Sequence, residues 1–220
     1  MKKNLFWQLL TLVILVVPSL YLASVWTGLP AQVPTHFGSD GQANGYSSRS
    51  SLWLLALALP MGTAVLLSVL PRLDPKRQLD GDSTNFQKLR LALVALLSGL
   101  ACYIIQLSAH PGATLGHGFM MLLGVFFIFL GNYLTTVQPN YFVGIRTPWT
   151  LESPSVWART HRLGGVLFCV SGLLLLALAF VVPTMWAHWL LVVFTVGTAL
   201  FCYGYSYWAF RQERRLNKAV

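Results

Sequence analysis

Six long runs of apolar residues, separated by short polar segments, constrain the fold more than any other feature. The runs cover approximately residues 5–27, 52–70, 89–109, 119–137, 163–182 and 186–210. A helix needs about 20 apolar residues to cross the roughly 30 Å hydrocarbon core of a bilayer, and each run approaches or exceeds that length. The pattern therefore predicts an all-α, polytopic integral membrane protein, a bundle of six transmembrane helices whose first partner is the lipid bilayer.

The first run also resembles the start of a signal peptide, because Lys2 and Lys3 precede it. It is longer, however, than the apolar region of about 7–15 residues in such peptides. Trp7 and Trp26 bracket the run at a spacing that suits two anchors at the membrane interfaces. We therefore expect a retained helix and a single membrane domain, 1–220.

Composition agrees with this interpretation. The chain has 220 residues, of which 55% are hydrophobic and only 10% are charged, whereas a soluble domain has about 25% charged residues. The net charge of +9 would suggest nucleic acid in a soluble protein, but in a membrane protein it indicates topology, so we expect no direct nucleic-acid partner. Cys102, Cys169 and Cys202 all lie in apolar runs and are interpreted as buried hydrophobic residues.

The positive charges predict the orientation. All of the 15 basic residues except Arg49 fall on one side if the helices alternate in direction. Because cytoplasmic segments are enriched in lysine and arginine, we expect a bacterial inner-membrane protein with both termini in the cytoplasm. Residues 5–71 then form a helical hairpin with an external loop at 28–51, and residues 88–220 form a four-helix region with a cytoplasmic stretch at 140–165.

Few polar side chains lie inside the runs. None of the runs carries an acidic or basic residue well within it, which counts against a proton-coupled transporter. Gln106 and Asn132 are expected to form hydrogen bonds between helices, although a polar cavity lined by both would favour a small-molecule or lipid transporter or channel. Two glycine pairs at a spacing of seven residues predict close helix packing: Gly124 with Gly131, and Gly197 with Gly204.

The external loop contains turn-forming residues and several candidate binding residues. Turns are expected at Asp40-Gly41 and at Asn44-Gly45. His36 with Asp40 can form a metal or pH-sensing site, or His36 can simply bond to the loop backbone, and one histidine with one carboxylate is a weak metal signal. The other external histidines, at 110, 117 and 188, can converge with His36 or act as ordinary interfacial residues. We therefore expect no bound metal or other cofactor.

This loop resembles a short domain of unknown function. That domain has an LP…P-x-H-F element followed by a G-x-x-(D/N)-G-(Y/W) turn and a basic residue. The matching residues are Leu29, Pro30, Pro34, His36, Phe37, Gly41, Asn44, Gly45, Tyr46 and Arg49. Arg49 stands where a lysine is common in that domain. The candidate partner- or ligand-binding residues of this loop are His36, Asp40, Asn44 and Arg49.

The stretch at 140–165, NYFVGIRTPWTLESPSVWARTHRLGG, is much more polar than a helix connection requires. Ser153 is expected to cap a helix that has Pro154 at its first position. That helix would carry Trp157, Thr160, His161 and Gly164 on one face. The stretch can close the cytoplasmic side as an interfacial cap, or it can bind a partner or ligand, and the two roles are compatible.

The same stretch is similar to the signature of the SdpI family. The signature has an N-x-x-x-G-x-R-(T/L)-x-W core and then V-W-x-x-(T/A)-(H/N)-R. The matching residues are Asn140, Gly144, Arg146, Thr147, Trp149, Val156, Trp157, Thr160, His161 and Arg162. With the external loop and six helices in matching order, the resemblance covers nearly the whole chain.

The resemblance implies toxin immunity. The family is named for a membrane protein that protects a cell from its own secreted sporulation-delaying peptide toxin, and in that member also holds a transcriptional repressor at the membrane. The partners expected here are therefore a secreted peptide toxin outside and a cytoplasmic repressor inside. None of the sequence motifs of the common catalytic sites is present, so an enzyme is the least favoured interpretation.

Overall fold

The computed structural model describes residues 2–38, 40–74, 78–110 and 112–218. Its α-helices are α1 (Lys2–Val25), α2 (Leu59–Leu73), α3 (Thr84–Ser108), α4 (His117–Leu134), α5 (Pro148–Glu152), α6 (Pro154–Leu178) and α7 (Thr184–Lys218). Strands β1 (Gln32–Phe37) and β2 (Ala43–Ser48) follow α1. Short 3₁₀ turns at Trp26–Gly28 and Arg49–Ser51 flank the strands, and a π-helical segment, Leu54–Ala58, leads into α2.

Six helical segments in these ranges are long and apolar enough to cross a membrane. They are Leu5–Gly28, Arg49–Leu73, Thr84–Ser108, His117–Leu134, Pro154–Leu178 and Trp189–Asn217. The prediction of an all-α polytopic membrane protein is therefore confirmed. Two of the counted basic residues, Lys76 and Arg77, lie outside the described residues, as do the side chains of Lys2, Lys3, His188 and Lys218.

The connections between the helices gather at two ends of the bundle. At the hairpin end (residues 26–38, 40–51, 109–110, 112–116 and 179–183), the N–H of Leu115 donates to the carbonyl of Gly41 at 2.8 Å. His117 Nε2 lies 2.7 Å from the carbonyl oxygen of Val182, so the 179–183 turn belongs to the same end. At the motif end (residues 72–74, 78–83, 135–153 and 211–218), Ser153 is hydrogen-bonded to Glu213. The two ends place the external-loop candidates and the 140–165 candidates far apart in the fold.

Glycines bring α4 and α6 into close contact. A Cβ added to Gly131 would lie 2.4 Å from the carbonyl oxygen of Gly165, and one added to Gly172 would lie 2.5 Å from that of Gly124. The packing role predicted for Gly124 and Gly131 is confirmed, because only glycine permits this approach of two helix backbones.

The packing role predicted for Gly197 and Gly204 is wrong. A Cβ at either position would meet no atom within 4 Å. The face of α7 that packs into the bundle carries other small residues, which are buried: Thr198, Cys202, Ser206 and Ala209. The repeat of seven residues placed the two glycines on one face but did not say which face is inward.

The segment predicted as a loop with two turns is a β-hairpin. Gly41 has a φ of +77°, and the N–H of Gln42 donates to Oδ1 of Asp40 at 3.0 Å, so the turn at Asp40-Gly41 is confirmed. The turn predicted at Asn44-Gly45 is wrong, because both residues lie in β2 and Gly45 pairs with His36 across the hairpin. Val33 is fully buried and joins an apolar cluster of Leu22, Leu29, Leu52, Ala56 and Ile105, which holds the hairpin against α1, the π-helical segment before α2, and α3.

Candidate functional site

We name the candidate site, residues 138–162, the motif cap. Asn140 organises the loop at its start. Its side chain is 3% exposed. Nδ2 donates to the carbonyl oxygens of Gln138 at 2.8 Å and Val143 at 3.0 Å. Oδ1 accepts from the N–H groups of Phe142 at 2.8 Å and Val143 at 2.7 Å. Every hydrogen-bonding position that a buried asparagine normally fills is therefore used to shape the loop.

His161 joins this loop to α6. Its Nε2 accepts a hydrogen bond from the N–H of Ile145 at 2.9 Å, and its Nδ1 lies 2.9 Å from the carbonyl oxygen of Trp157. An N–H donor can pair only with an unprotonated ring nitrogen, so His161 is the neutral tautomer with its proton on Nδ1. The ring is 2% exposed. It therefore has no free nitrogen to offer a metal or a substrate.

Gly144 makes the approach of the loop to His161 possible. Its φ is +119°, and an added Cβ would lie 2.4 Å from Nε2 of His161. Two independent requirements, backbone conformation and space, therefore select glycine here.

Trp157 and Thr160 lie on the same buried face of α6 as His161. The indole of Trp157 stacks on the His161 ring at 4.0 Å between centroids, and its Nε1 donates to the carbonyl of Val137 at 3.0 Å. Thr160 is fully buried. The predicted face, including Gly164, is confirmed, and Ser153 caps the helix as expected by accepting from the N–H of Val156.

Helix α5 fastens the motif cap to α7. Thr147 caps α5, and its hydroxyl lies 3.0 Å from that of Ser206 on α7. The ring of Trp149 lies 5.0 Å from the rings of both Tyr203 and Tyr207. These contacts place Trp149 between α5 and α7, where it packs instead of projecting toward a ligand.

Charged groups form the outer layer of the motif cap. Both oxygens of Glu213 accept from the Ser153 hydroxyl, at 2.8 and 3.0 Å, and one also accepts from Ser155 at 2.6 Å. Arg159 lies 3.4 Å from the same carboxylate. A carboxylate at the first turn of α6 also complements the positive end of the helix dipole. Arg146 donates to the carbonyl of Tyr141, whereas Arg162 is exposed.

Sequence reasoning missed Glu213 and Ser206 as parts of this region. The signal for Glu213 was available, since it is the single acidic residue in the basic segment RQERRLNKAV. Ser206 carried no such signal, because a serine in an apolar run is ordinary.

The candidate residues of the hairpin end do not form one cluster. His36, Asp40 and Asn44 are exposed, and the guanidinium of Arg49 lies 4.9 Å from the centre of the Trp26 ring. His110 bonds to the carbonyl of Gln106 and His117 to that of Val182, so both are used locally. Among the residues that the structure describes, no group of three histidine, cysteine or acidic side chains is arranged to hold a metal.

Gln106 accepts a hydrogen bond from Tyr21 and thus links α3 to α1, as expected. The side chain of Asn132 is exposed, and the bond between helices expected for it is not among the described contacts. Neither residue lines the apolar groove of about 750 Å³ between α1, α3 and α4 or the polar cavities at the two ends. Among the cavities formed by the described residues, these four are therefore not the polar cavity around this pair that would favour a transporter.

The fold and the motif cap define a polytopic membrane protein with a β-hairpin at one end and a hydrogen-bonded closure at the other. The model of the SdpI/YfhL protein family matches residues 136–206, and a domain of unknown function, DUF1648, matches residues 13–59. The chain is thus similar to the SdpI/YfhL protein family over a segment that includes the whole motif cap. It is 24% identical over 188 residues to "Immunity protein SdpI" of Bacillus subtilis (strain 168), covering 82% of this chain and 83% of that protein. No solved structure matches.

Proposed function

We propose that this protein is a multi-pass membrane immunity protein that protects the cell from a secreted antimicrobial peptide toxin. The observation that carries the proposal is the extent of the similarity to Immunity protein SdpI, which covers 82% of the chain. That extent favours a shared role over a shared membrane scaffold alone. A non-enzymatic role agrees with the motif cap, where the polar atoms of Asn140 and His161 form hydrogen bonds within the protein.

The proposed location is the bacterial inner membrane, with both termini and the motif end in the cytoplasm. The basic side chains described at the motif end and in the helix turns next to it support this orientation: Arg72, Lys88, Arg90, Arg146, Arg159, Arg162, Arg211, Arg214 and Arg215. Arg49 is at the hairpin end and packs over Trp26. Single cysteines at positions 46 and 162, in a background without native cysteines, test it with a membrane-impermeant thiol reagent. Labelling from outside is expected at 46 alone, and equal labelling at both positions would contradict the orientation.

The hairpin end is the proposed contact surface for the toxin. A pocket of about 270 Å³ lies between the hairpin and residues 107–113, and its lining includes Pro34, Tyr46 and His110. Tyr46 is 60% exposed. Exposed aromatic and proline surface beside a small concave pocket suits an apolar side chain of an amphipathic peptide. His36, Asp40, Asn44 and Arg49 would contribute the polar edge of this surface.

The motif end is the proposed reporter of the toxin-bound state. Exposed cations there, among them Arg162, Arg211 and Arg215, provide a surface for an acidic region of a cytoplasmic repressor. The support for this second partner is the family resemblance together with the charge.

A survival assay tests the immunity proposal. Cells killed by the sporulation-delaying peptide toxin would express wild-type protein, His36→Ala, Arg146→Ala or Tyr46→Ser at matched membrane levels, with Tyr46→Phe as the control that keeps the ring. We expect wild type and Tyr46→Phe to protect, and Tyr46→Ser to protect less. Survival with wild type no better than with an empty vector would overturn the proposal. Full protection by both His36→Ala and Arg146→Ala would remove these two residues from the mechanism.

A further inference from the structure

A polar cavity of about 640 Å³ lies at the motif end, among side chains near the start of α1, the end of α2 and the start of α3. Residues 79–82 of the connection between α2 and α3 complete its lining. The polar side chains that line it include Gln8, Ser68, Arg72, Asp80, Gln87 and Arg90. This cavity is separate from the hydrogen bonds that hold the motif cap together.

Gln87 lines the cavity and carries an unpaired acceptor. The side chain is 3% exposed, and its Nε2 donates to the carbonyl of Gly81 at 2.6 Å. That bond fixes the orientation of the amide, so Oε1 is the acceptor, and this buried oxygen has no partner in the described part of the chain. A buried acceptor without a partner is costly, which suggests that a donor from a ligand or from water normally meets it.

Arg90 contributes an unpaired donor. Its Nη1 donates to the hydroxyl of Ser68 at 3.2 Å, while its Nε is buried and has no partner among the described residues. The two ion pairs described, Arg159 with Glu213 and Arg214 with Glu152, do not involve this guanidinium. A guanidinium in a partly closed cavity without a carboxylate partner is well suited to phosphate, which it binds through two parallel hydrogen bonds.

The two unpaired groups are close in the fold because residues three apart on a helix share one face. A complementary ligand must accept a hydrogen bond from Arg90 and donate one to Gln87. The edge of the cavity also carries both signs of charge, with Arg72 and Asp80 in the lining, so it suits a zwitterion better than a purely anionic group. Arg90 is six residues into α3, about 9 Å along the helix, which corresponds to the headgroup region.

We propose that this cavity binds the headgroup of an aminophospholipid, with the phosphate on Arg90 and the ethanolamine ammonium directed to Gln87 Oε1 and Asp80. The phosphate contact alone would also be met by inorganic phosphate or by soluble phosphoethanolamine. Ordered water would satisfy the same two atoms without any lipid. The experiment separates these sources.

The full-length protein would be reconstituted in nanodiscs that contain equal amounts of phosphatidylethanolamine, phosphatidylcholine and phosphatidylglycerol. Native mass spectrometry after extraction then counts the lipids retained. We expect wild type to retain phosphatidylethanolamine about tenfold more than phosphatidylcholine, because the choline group has no N–H to donate to Gln87.

Single substitutions test which residues are responsible for the retention of phosphatidylethanolamine. Arg90→Met is expected to lower the retention of phospholipid about tenfold or more, and Gln87→Met to abolish the preference for ethanolamine over choline. Arg72→Met, at an exposed edge position, gives a smaller loss and serves if Arg90→Met does not fold. Arg162→Met is the control, because it removes a motif-end cation that lies outside this cavity. Helix content and thermal unfolding confirm that each variant is folded.

Three outcomes would overturn the proposal. Equal retention of the three lipids by wild type would refute the ethanolamine assignment. Unchanged retention by folded Arg90→Met and Arg72→Met would leave water as the occupant. If inorganic phosphate or phosphoethanolamine stabilises the delipidated protein as strongly as phosphatidylethanolamine does, the cavity is a site for a soluble phosphate and not for a lipid.

Discussion

The backbone N–H of Ile145 donates a 2.9 Å hydrogen bond to Nε2 of His161, 16 residues later in the chain. Through this bond the loop after α4 is held against the first turns of α6. Asn140 and His161 are therefore structural residues, and a partner would contact the surface that they support and not these two buried side chains.

Replacing His161 by phenylalanine tests this role. The ring can still stack on Trp157, but the N–H of Ile145 loses its acceptor, so we expect a loss of about 1–3 kcal/mol in the free energy of unfolding. Thermal or denaturant unfolding in detergent measures it. Arg162→Ala, at the next and exposed position, is expected to change stability by less than about 0.5 kcal/mol. Equal stability of the two variants would show that the hydrogen bond is not important.

Gly144→Ala is expected to be more harmful than Gly112→Ala. Both glycines have positive φ, +119° and +84°, so both alanines are strained, at a cost of about 1 kcal/mol or more. Only at Gly144 does the added methyl group also collide with His161, because nothing lies within 4 Å of a Cβ at Gly112. The difference in unfolding midpoint between the variants measures the destabilisation that the collision causes, apart from the backbone strain that both share. A difference of zero would mean that the loop shifts freely.

The contact between α4 and α6 gives a second matched pair, Gly131→Ala and Gly204→Ala. Alanine favours a helix by about 1 kcal/mol over glycine, so Gly204→Ala should be neutral or stabilising. At Gly131 the methyl group would lie 2.4 Å from the Gly165 carbonyl oxygen, and overpacking is expected to cost about 1–3 kcal/mol. Resistance to denaturation in SDS provides the measurement. Stabilisation by both alanines would contradict the close approach of α4 and α6.

The bond between Ser153 and Glu213 is expected to couple α6 with α7. Ser153→Ala should cost about 1 kcal/mol as the loss of a helix cap. A double-mutant cycle with Glu213→Gln should show a coupling energy of about 0.5 kcal/mol or more. The exposed pair Glu152 and Arg214 is the control, with an expected coupling between about 0 and 1 kcal/mol. Additive effects of Ser153→Ala and Glu213→Gln would refute the coupling.

The sequence predicted the number and type of the spanning helices because a bilayer imposes one simple requirement, a long apolar run. It also predicted the cap at Ser153, since a helix start is decided by local residues. It did not predict the hairpin, because the strand QVPTHF has few β-branched residues and its pairing depends on burial of Val33 against three helices.

In the candidate site too, features set by local sequence could be predicted and features set by packing between helices could not. The buried face of Trp157, Thr160 and His161 could be predicted from helical spacing. The link from Ser153 to Glu213 could not, because a contact between residues 60 positions apart depends on how α6 and α7 are oriented. The inward face of α7 was missed for the same reason, since Gly197 and Gly204 mark one side of the helix but not its direction.

Helix α7 is a single helix of 35 residues, about 52 Å long at 1.5 Å per residue and thus well beyond the roughly 30 Å thickness of the hydrocarbon layer. Its last turns therefore extend beyond the lipid tails as a continuous helix that carries Arg211 and Arg215. Because Glu213 is hydrogen-bonded to the first turn of α6, a change in the tilt of α7 would move the end of α7 and the motif cap together. A change of helix tilt is thereby converted into a lateral displacement of the basic surface.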